Sequence, residues 1–236
     1  MNKKGTEINI QSPDYKFIDP STLLFLTGVP LSGKSTIAPL LTASISSCVL
    51  QPMDIIRLAA QEVENTKPIK ERNPFVFLGS CDGYTAIGDG TYSDETLIKG
   101  FNAYSNAICA LIVNMIPKLE VQGAQNVLFE GVQLTPSIVK PHLKKNNKLV
   151  VVTSTEKQLE SNRNKLFGEN SGLNERYSIK KLMLLQDEIL RQSAILPNNQ
   201  LLVINNIVNY VDTAKDIMSF LLDEEVINQN QEAAKV

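Results

Sequence analysis

No part of this sequence limits its fold more narrowly than the loop Gly28-Val29-Pro30-Leu31-Ser32-Gly33-Lys34-Ser35. It fits the pattern G-x-x-x-x-G-K-[ST], follows the apolar run 22–27 directly, and leads through Thr36 into a segment with helical spacing. Glycines let such a loop wrap its N–H groups around phosphate oxygens, and the helix start adds partial positive charge. The sequence therefore predicts that residues 28–36 bind the phosphates of a nucleotide.

Lys34 and Ser35 have separate expected roles in this loop. The Lys34 ammonium would reach the β- and γ-phosphates, and the Ser35 hydroxyl would ligate Mg²⁺. The motif by itself fits kinases, GTPases, motor ATPases and switches. The chain has neither an N/T-K-x-D guanine motif nor a D-x-x-G switch motif, and 236 residues are few for a motor ATPase. A small-molecule kinase is the favoured class, with ATP as the expected nucleotide and GTP left open.

Short apolar runs alternate with helical segments along the chain. The runs that read as strands are 22–27, 47–50, 126–129, 149–152 and 201–204. The segments with helical spacing are 34–43, 53–64, 97–116, 155–166, 175–193 and 211–222. Such alternation indicates βαβ units. We expect an α/β fold of the P-loop NTPase class, with a five-stranded parallel sheet covered by helices on both faces, as in nucleoside monophosphate kinases.

One kinase domain is predicted over residues 21–222, between polar tails at 1–20 and 223–236. Within it, segment 65–94 is rich in Gly, Pro, Asn and Asp and has no clear period, which is typical of an insertion. We expect this insertion to bind the second substrate. A second irregular stretch lies inside 163–176, which is predicted to form a lid.

Asp54 and Arg57 follow the second predicted strand, at the sheet edge where ligands bind in doubly wound folds. An aspartate there can accept the proton of an attacking hydroxyl, and an arginine one helical turn later can neutralise phosphate or a carboxylate. The structural alternative makes Asp54 a helix N-cap and Arg57 its exposed partner. Glu130 ends the third predicted strand and is expected at the same edge, where it would orient Mg²⁺ through water or bind the second substrate.

The insertion and the lid supply further candidates. Arg72 and Tyr84 are the insertion residues expected to contact the second substrate, although cationic stretches are most often solvated. Arg163 is the lid residue predicted to stabilise charge on the transferred phosphoryl group, with Lys165 and Arg176 as further lid cations. The predicted catalytic set is therefore Lys34, Asp54, Arg57 and Arg163.

Three segments of the chain together resemble the 2-phosphoglycerate kinases: the loop 28–36, Asp54-x-x-Arg57, and the run 130–136, EGVQLTP. That family has a phosphate loop, a D-x-I-R segment and a strand ending E-G-V-H-L-x-P-G. The resemblance spans roughly residues 23–206 and implies ATP, Mg²⁺ and phosphoryl transfer to the hydroxyl of a small phosphorylated acid.

The chain departs from that family at Gln133, where the family has histidine, at Ser137, where it has glycine, and around Arg163, where the lid pattern is poorly kept. These departures leave the acceptor open. The zeta-toxin-like kinases are similar in mechanism and would imply a nucleotide-sugar acceptor. A third possibility is an ATP-binding regulatory module without transfer activity.

Net charge and cysteine content indicate the expected binding partners and cellular location. The net charge of −2 gives no overall cationic field for nucleic acid or an anionic membrane, so we expect neither as a partner. The sequence contains three widely spaced cysteines and no CxxC motif, which favours a reducing, cytoplasmic location. The oligomeric state is left open.

Overall fold

The structure is a computed structural model that describes residues 22–116, 118, 126–143, 146–169, 171–206 and 209–222. The predicted tails 1–20 and 223–236 lie outside these described residues. Five strands form a parallel sheet in the order β2-β3-β1-β4-β5. They are β1 (Leu23–Thr27), β2 (Cys48–Pro52), β3 (Asn126–Glu130), β4 (Lys148–Thr153) and β5 (Leu201–Asn205). The predicted five-stranded parallel sheet is confirmed.

Helices connect the strands at nearly the predicted positions. They are α1 (Lys34–Ser44), α2 (Met53–Asn65), α3 (Asp94–Val113), α4 (Pro136–Val139), α5 (Glu156–Phe167), α6 (Leu173–Arg176), α7 (Ile179–Ser193) and α8 (Tyr210–Leu221). The predicted helix 175–193 is divided, because Ser178 caps α7 by accepting a hydrogen bond from the Lys181 N–H.

Side chains on the two faces of the sheet pack into two apolar layers. Phe25 and Phe129 lie on one face, with their rings stacked 5.6 Å apart, and α2, α3 and α7 cover them. Leu26 and Val150 lie on the other face, under α1 and α8. Residues alternate between the faces because strand side chains point in opposite directions at successive positions.

The strand order places a crevice above β1. The chain leaves β1 for β2, returns to β3 between them, and then crosses to β4 on the opposite side of β1. Ligands of such sheets bind beyond the carboxyl ends of the strands where the connections change direction. The loop 28–33, the first residues of α2 and the end of β3 all lie at this edge.

The insertion consists of three short 3₁₀ turns, Ile69–Glu71, Pro74–Val76 and Gly83–Ala86, and packs against α3. The closest approach joins Gly83 to Gly100, where a Cβ on either residue would overlap the backbone of the other. α3 alone among the described helices has the length and composition of a membrane span. Its buried face lies in the apolar layer that covers Phe25 and Phe129.

Candidate active site

The loop between β1 and α1 has the backbone of a phosphate cradle. Gly28, Leu31 and Gly33 have positive φ values of 154°, 70° and 91°. Within the described chain, the N–H groups of Leu31, Gly33, Lys34 and Ser35 donate to no protein acceptor. Free N–H groups at the start of a helix are the usual ligands of phosphate oxygens in proteins.

Side chains from distant elements hold the loop in shape. Asn206 donates from Nδ2 to the Ser32 carbonyl over 2.9 Å and accepts from the Thr213 hydroxyl over 3.2 Å. Asn162 of α5 donates to the Leu31 carbonyl over 2.9 Å. A Cβ at Gly33 would overlap the Asn206 side chain, so glycine is required there for space as well as for φ. No motif in the sequence indicates this supporting role of Asn206.

Lys34, Ser35 and Glu130 form one cluster at the carboxyl edge of the sheet. The Ser35 hydroxyl donates to Glu130 Oε1 over 3.1 Å, and Lys34 Nζ lies 3.7 Å from the same oxygen. A hydroxyl beside a carboxylate offers the oxygen ligands that Mg²⁺ prefers, directly or through water. The residues present therefore fit a magnesium ion, with Ser35 as a ligand and Glu130 beside it.

Two cavities meet at Lys34 and Ser35. The larger, of about 430 Å³, is lined by Leu31, Gly33, Lys34, Ser35, Thr36, Asn162, Lys165, Leu166 and Tyr210. The smaller, of about 180 Å³, is called the acceptor cavity below. Its lining residues are Pro30, Lys34, Ser35, Asp54, Arg57, Gly79, Ser80, Tyr104, Glu130, Gly131, Val132, Gln133, Arg176 and Tyr177. Lys34 and Ser35, the expected phosphate and Mg²⁺ ligands of the loop, thus line both cavities.

Asp54 lies in the first turn of α2, with its side chain 76% exposed at the mouth of the acceptor cavity. Its Oδ1 is 3.6 Å from Arg57 Nε and accepts from Gln133 Nε2 over 3.4 Å. The N-cap of α2 is Pro52, and Asp54 makes no capping hydrogen bond. The structural alternative of Asp54 as an N-cap is therefore wrong, and the carboxylate is available to a ligand.

Arg176 at the end of α6 forms the far wall of the acceptor cavity. Its guanidinium bonds the Asp82 carboxylate of the insertion and packs over Gly79, where a Cβ would overlap it. The next residue, Tyr177, stacks on Phe167 with ring centres 5.4 Å apart. This stacking joins the end of α5 to the residue that follows α6. The contact of Arg176 with Asp82 joins the predicted lid to the insertion.

Arg163, the predicted catalytic arginine of the lid, lines neither cavity. It lies on α5 with Nη2 3.8 Å from Glu160 Oε1. Asn162 and Lys165 are the α5 residues that face the loop, and position 163 points about 100° around the helix from Asn162. In the described conformation Arg176, and not Arg163, lines the acceptor cavity, and the catalytic role of Arg163 stays a prediction.

Arg72 and Tyr84 also lie away from the acceptor cavity. The Arg72 guanidinium bonds the Asn65 carbonyl and the Lys67 carbonyl, both over 3.0 Å, and so binds the carbonyls at the end of α2. The Tyr84 ring packs edge-on against Tyr92. The insertion contributes Gly79 and Ser80 to the cavity, two small residues that carried no sequence signal.

Comparisons with known proteins give a likeness of fold. No family model matches the sequence, and no curated protein matches it. A shikimate kinase from Acinetobacter baumannii in complex with shikimate is similar over 86% of this chain and 94% of its own, with 13% identity and a TM-score of 0.48. A thymidylate kinase from Candida albicans is similar over 86% of this chain and 92% of its own, with 12% identity and a TM-score of 0.47.

The strand order and the loop after β1 together define the fold class. This is an α/β P-loop NTPase fold. The resemblance to the 2-phosphoglycerate kinases stays a prediction.

Proposed function

We propose that this protein is an ATP- and Mg²⁺-dependent kinase that transfers the γ-phosphoryl group to a hydroxyl of a small anionic molecule. The observation that carries the proposal is the shared wall of the two cavities at Lys34 and Ser35. A nucleotide in the larger cavity, with its phosphates on the loop, would direct its terminal phosphate toward the acceptor cavity. Transfer requires the nucleotide and the acceptor to meet at one such point.

The loop and Lys34 supply most of the electrostatic stabilisation in this proposal. The four free N–H groups of residues 31 and 33–35 bind phosphate oxygens, and the Lys34 ammonium follows the charge that develops on the transferred group. Mg²⁺, when bound at Ser35, neutralises charge on the β- and γ-phosphates. Glu130 keeps the Ser35 hydroxyl oriented toward that position.

Asp54 is the group that accepts the proton of the acceptor hydroxyl. Arg57 and Gln133 both contact Oδ1 of Asp54, which leaves Oδ2 to face the acceptor. As the hydroxyl oxygen bonds to the γ-phosphorus and the bond to the β-phosphate oxygen breaks, the hydroxyl proton passes to Asp54. The products are ADP and the phosphorylated acceptor.

The acceptor cavity favours a compact acid. Arg57 and Arg176 both line this cavity, and two guanidinium groups suit a carboxylate or phosphate group on the acceptor. An apolar cavity of about 150 Å³ binds a molecule the size of benzene. A volume of about 180 Å³ therefore suits a three- or four-carbon acid such as 2-phosphoglycerate better than a nucleotide sugar.

The test is ADP formation in the presence of a panel of acceptors. Three-carbon hydroxy acids, their phosphates, nucleosides and nucleotide sugars are added singly to the protein with ATP and Mg²⁺. We expect one group of small acids to accelerate ADP formation in the wild-type protein and not in Lys34→Ala. Lys99→Ala is the matched control, because Lys99 pairs with Glu95 on the exposed face of α3.

Two results separate this proposal from its alternatives. Stimulation by nucleotide sugars alone would favour a zeta-toxin-like kinase. ATP binding that stabilises the fold, with no acceptor in the panel accelerating ADP formation, would favour a regulatory module. If ATP with Mg²⁺ fails to stabilise the wild-type protein, by about 2.7 kcal/mol at a hundredfold excess over Kd, the nucleotide site itself is refuted.

A further inference from the structure

Tyr104 lies on the apolar face of α3, yet its hydroxyl reaches the wall of the acceptor cavity. The residue is 2% exposed, and its ring packs in the apolar layer with Phe101 and Ile108. A tyrosine in the core normally has its hydroxyl paired inside the protein.

The Tyr104 hydroxyl accepts a hydrogen bond from Gln133 but does not donate its own hydrogen to a described residue. Gln133 Nε2 donates to Tyr104 Oη over 2.6 Å and to Asp54 Oδ1 over 3.4 Å, so the amide acts as the donor to both. The reverse orientation of the amide would set an oxygen against the Asp54 carboxylate, which is unfavourable. Among the described residues, no acceptor is present for the Tyr104 hydrogen.

The rest of the cavity wall combines several donors with two carboxylates, those of Asp54 and Glu130. Arg57 and Arg176 are cationic, and Ser80 adds a hydroxyl. Burial raises the pKa of Tyr104 well above its ordinary value, so the phenol keeps its proton at neutral pH. A ligand that satisfies these groups has to bring several acceptor oxygens close together, as a carboxylate or a phosphate does.

We propose that Tyr104 is a specificity-determining residue of the acceptor site, whose hydroxyl donates to an anionic oxygen of the acceptor. Gln133 is its positioning residue, because one amide holds both the Tyr104 hydroxyl and the Asp54 carboxylate. Gln133 thereby positions both Tyr104, which would bind the acid group of the acceptor, and Asp54, which would bind its reacting hydroxyl. This inference rests on the proposed function and adds the residues that select the acceptor.

The experiment compares wild type, Tyr104→Phe and Tyr92→Phe. Each protein is titrated with glycerate, glycerol phosphate and glycerol in the presence of Mg²⁺ and a non-hydrolysable ATP analogue, and Kd is measured by calorimetry. The three compounds share a carbon skeleton and differ in carrying a carboxylate, a phosphate or neither. Tyr92→Phe is the matched control, because the Tyr92 hydroxyl bonds Asp94 on the protein surface.

We expect Tyr104→Phe to raise Kd for at least one of the acids roughly 10- to 100-fold, the loss of one hydrogen bond to a charged group. Binding of the ATP analogue and of glycerol should be unchanged. The acid that loses affinity shows whether the bound group is the carboxylate or the phosphate. Gln133→Met should weaken the same acid, since the Tyr104 hydroxyl then lacks its partner.

Three results would overturn the inference. The first is an unchanged Kd for both acids in Tyr104→Phe. The second is an equal loss for the acids and glycerol, which would mean that the ring acts only through packing. The third is the absence of acid binding to the wild-type protein. Failure of the proposed function is seen separately, as unstimulated ADP formation in the panel described above, whatever these Kd values are.

Discussion

The Ser35 hydroxyl donates a hydrogen bond to Glu130 Oε1 over 3.1 Å. Ser35 belongs to the first turn of α1, and Glu130 is the last residue of β3, so the bond joins the phosphate loop to the neighbouring strand. Lys34 Nζ lies 3.7 Å from the same oxygen. A buried carboxylate at this place keeps both loop side chains near the proposed position of the metal and the phosphates.

Glu130→Gln should raise the Mg²⁺ requirement of the proposed kinase activity. The amide keeps the size of the side chain and can still accept from Ser35, but it no longer carries the charge that attracts hydrated Mg²⁺. We expect the midpoint of a Mg²⁺ titration of ADP formation to rise roughly 10- to 100-fold. Glu95→Gln, on the exposed face of α3, is the control. An unchanged midpoint in Glu130→Gln would remove Glu130 from the metal site.

Asp54→Asn should lower kcat by roughly 10²- to 10⁴-fold, because asparagine cannot take the proton of the acceptor hydroxyl. The side chain is 76% exposed, so the melting temperature and the KM for ATP should stay at their wild-type values. Asp212→Asn is the matched control, an exposed aspartate of α8 that pairs with Lys215. Full activity of Asp54→Asn across the pH range in which the wild-type protein is active would contradict the assignment of the base.

The phosphate loop and the sheet could be predicted from the sequence because their signals are local. The phosphate loop is recognised from a contiguous stretch of about twenty residues: the apolar run 22–27, then the glycines at 28 and 33, then the helix that follows. Asp54 and Glu130 could be placed as well, since Asp54 lies two residues after β2, Glu130 ends β3, and parallel strands end at one edge. These predictions needed no knowledge of how distant segments pack.

The rest of the site depends on packing between distant segments. Helical spacing assigns Tyr104 to the core, but it does not show that Gln133, 29 residues later, meets its hydroxyl. The sequence predicted Arg163 as the catalytic arginine. In the structure it is Arg176 that lines the acceptor cavity, where Asp82 and Gly79 of the insertion contact its guanidinium. Such pairings become visible only once the insertion is placed against the lid.

Gly100→Ala should destabilise the fold and loosen the insertion. A Cβ at Gly100 would overlap the backbone of Gly83 and Tyr84, which cannot rotate away as a side chain can. We expect the free energy of unfolding to fall by roughly 1–3 kcal/mol in urea titrations, the usual effect of overpacking. Gly172→Ala is the control, because a Cβ there meets no atom within 4 Å. Equal stability of the two variants would show that the insertion is not packed on α3.

The Glu188 carboxylate makes stability depend on acid pH. It is buried on α7 and accepts two hydrogen bonds of 2.8 Å from Arg191, with further bonds from Gln192 and from Asn102 of α3. The bonds from Arg191 are the main cause that holds the pKa of Glu188 below its ordinary value. A depressed folded-state pKa contributes stability above the unfolded-state pKa, and this contribution is lost as the pH falls through the folded-state pKa.

Glu188→Gln should therefore be less stable than wild type at neutral pH, by about 1–3 kcal/mol, the range for losing hydrogen bonds to a charged group. The difference should shrink as the pH falls through the folded-state pKa of Glu188, where the wild-type carboxylate takes up a proton. Urea unfolding of both proteins at several pH values measures the difference, and Glu160→Gln, on an exposed face of α5, corrects for general acid effects. A stability difference that is constant over this pH range would mean that Glu188 acts through packing, because only the charge of the carboxylate is sensitive to pH.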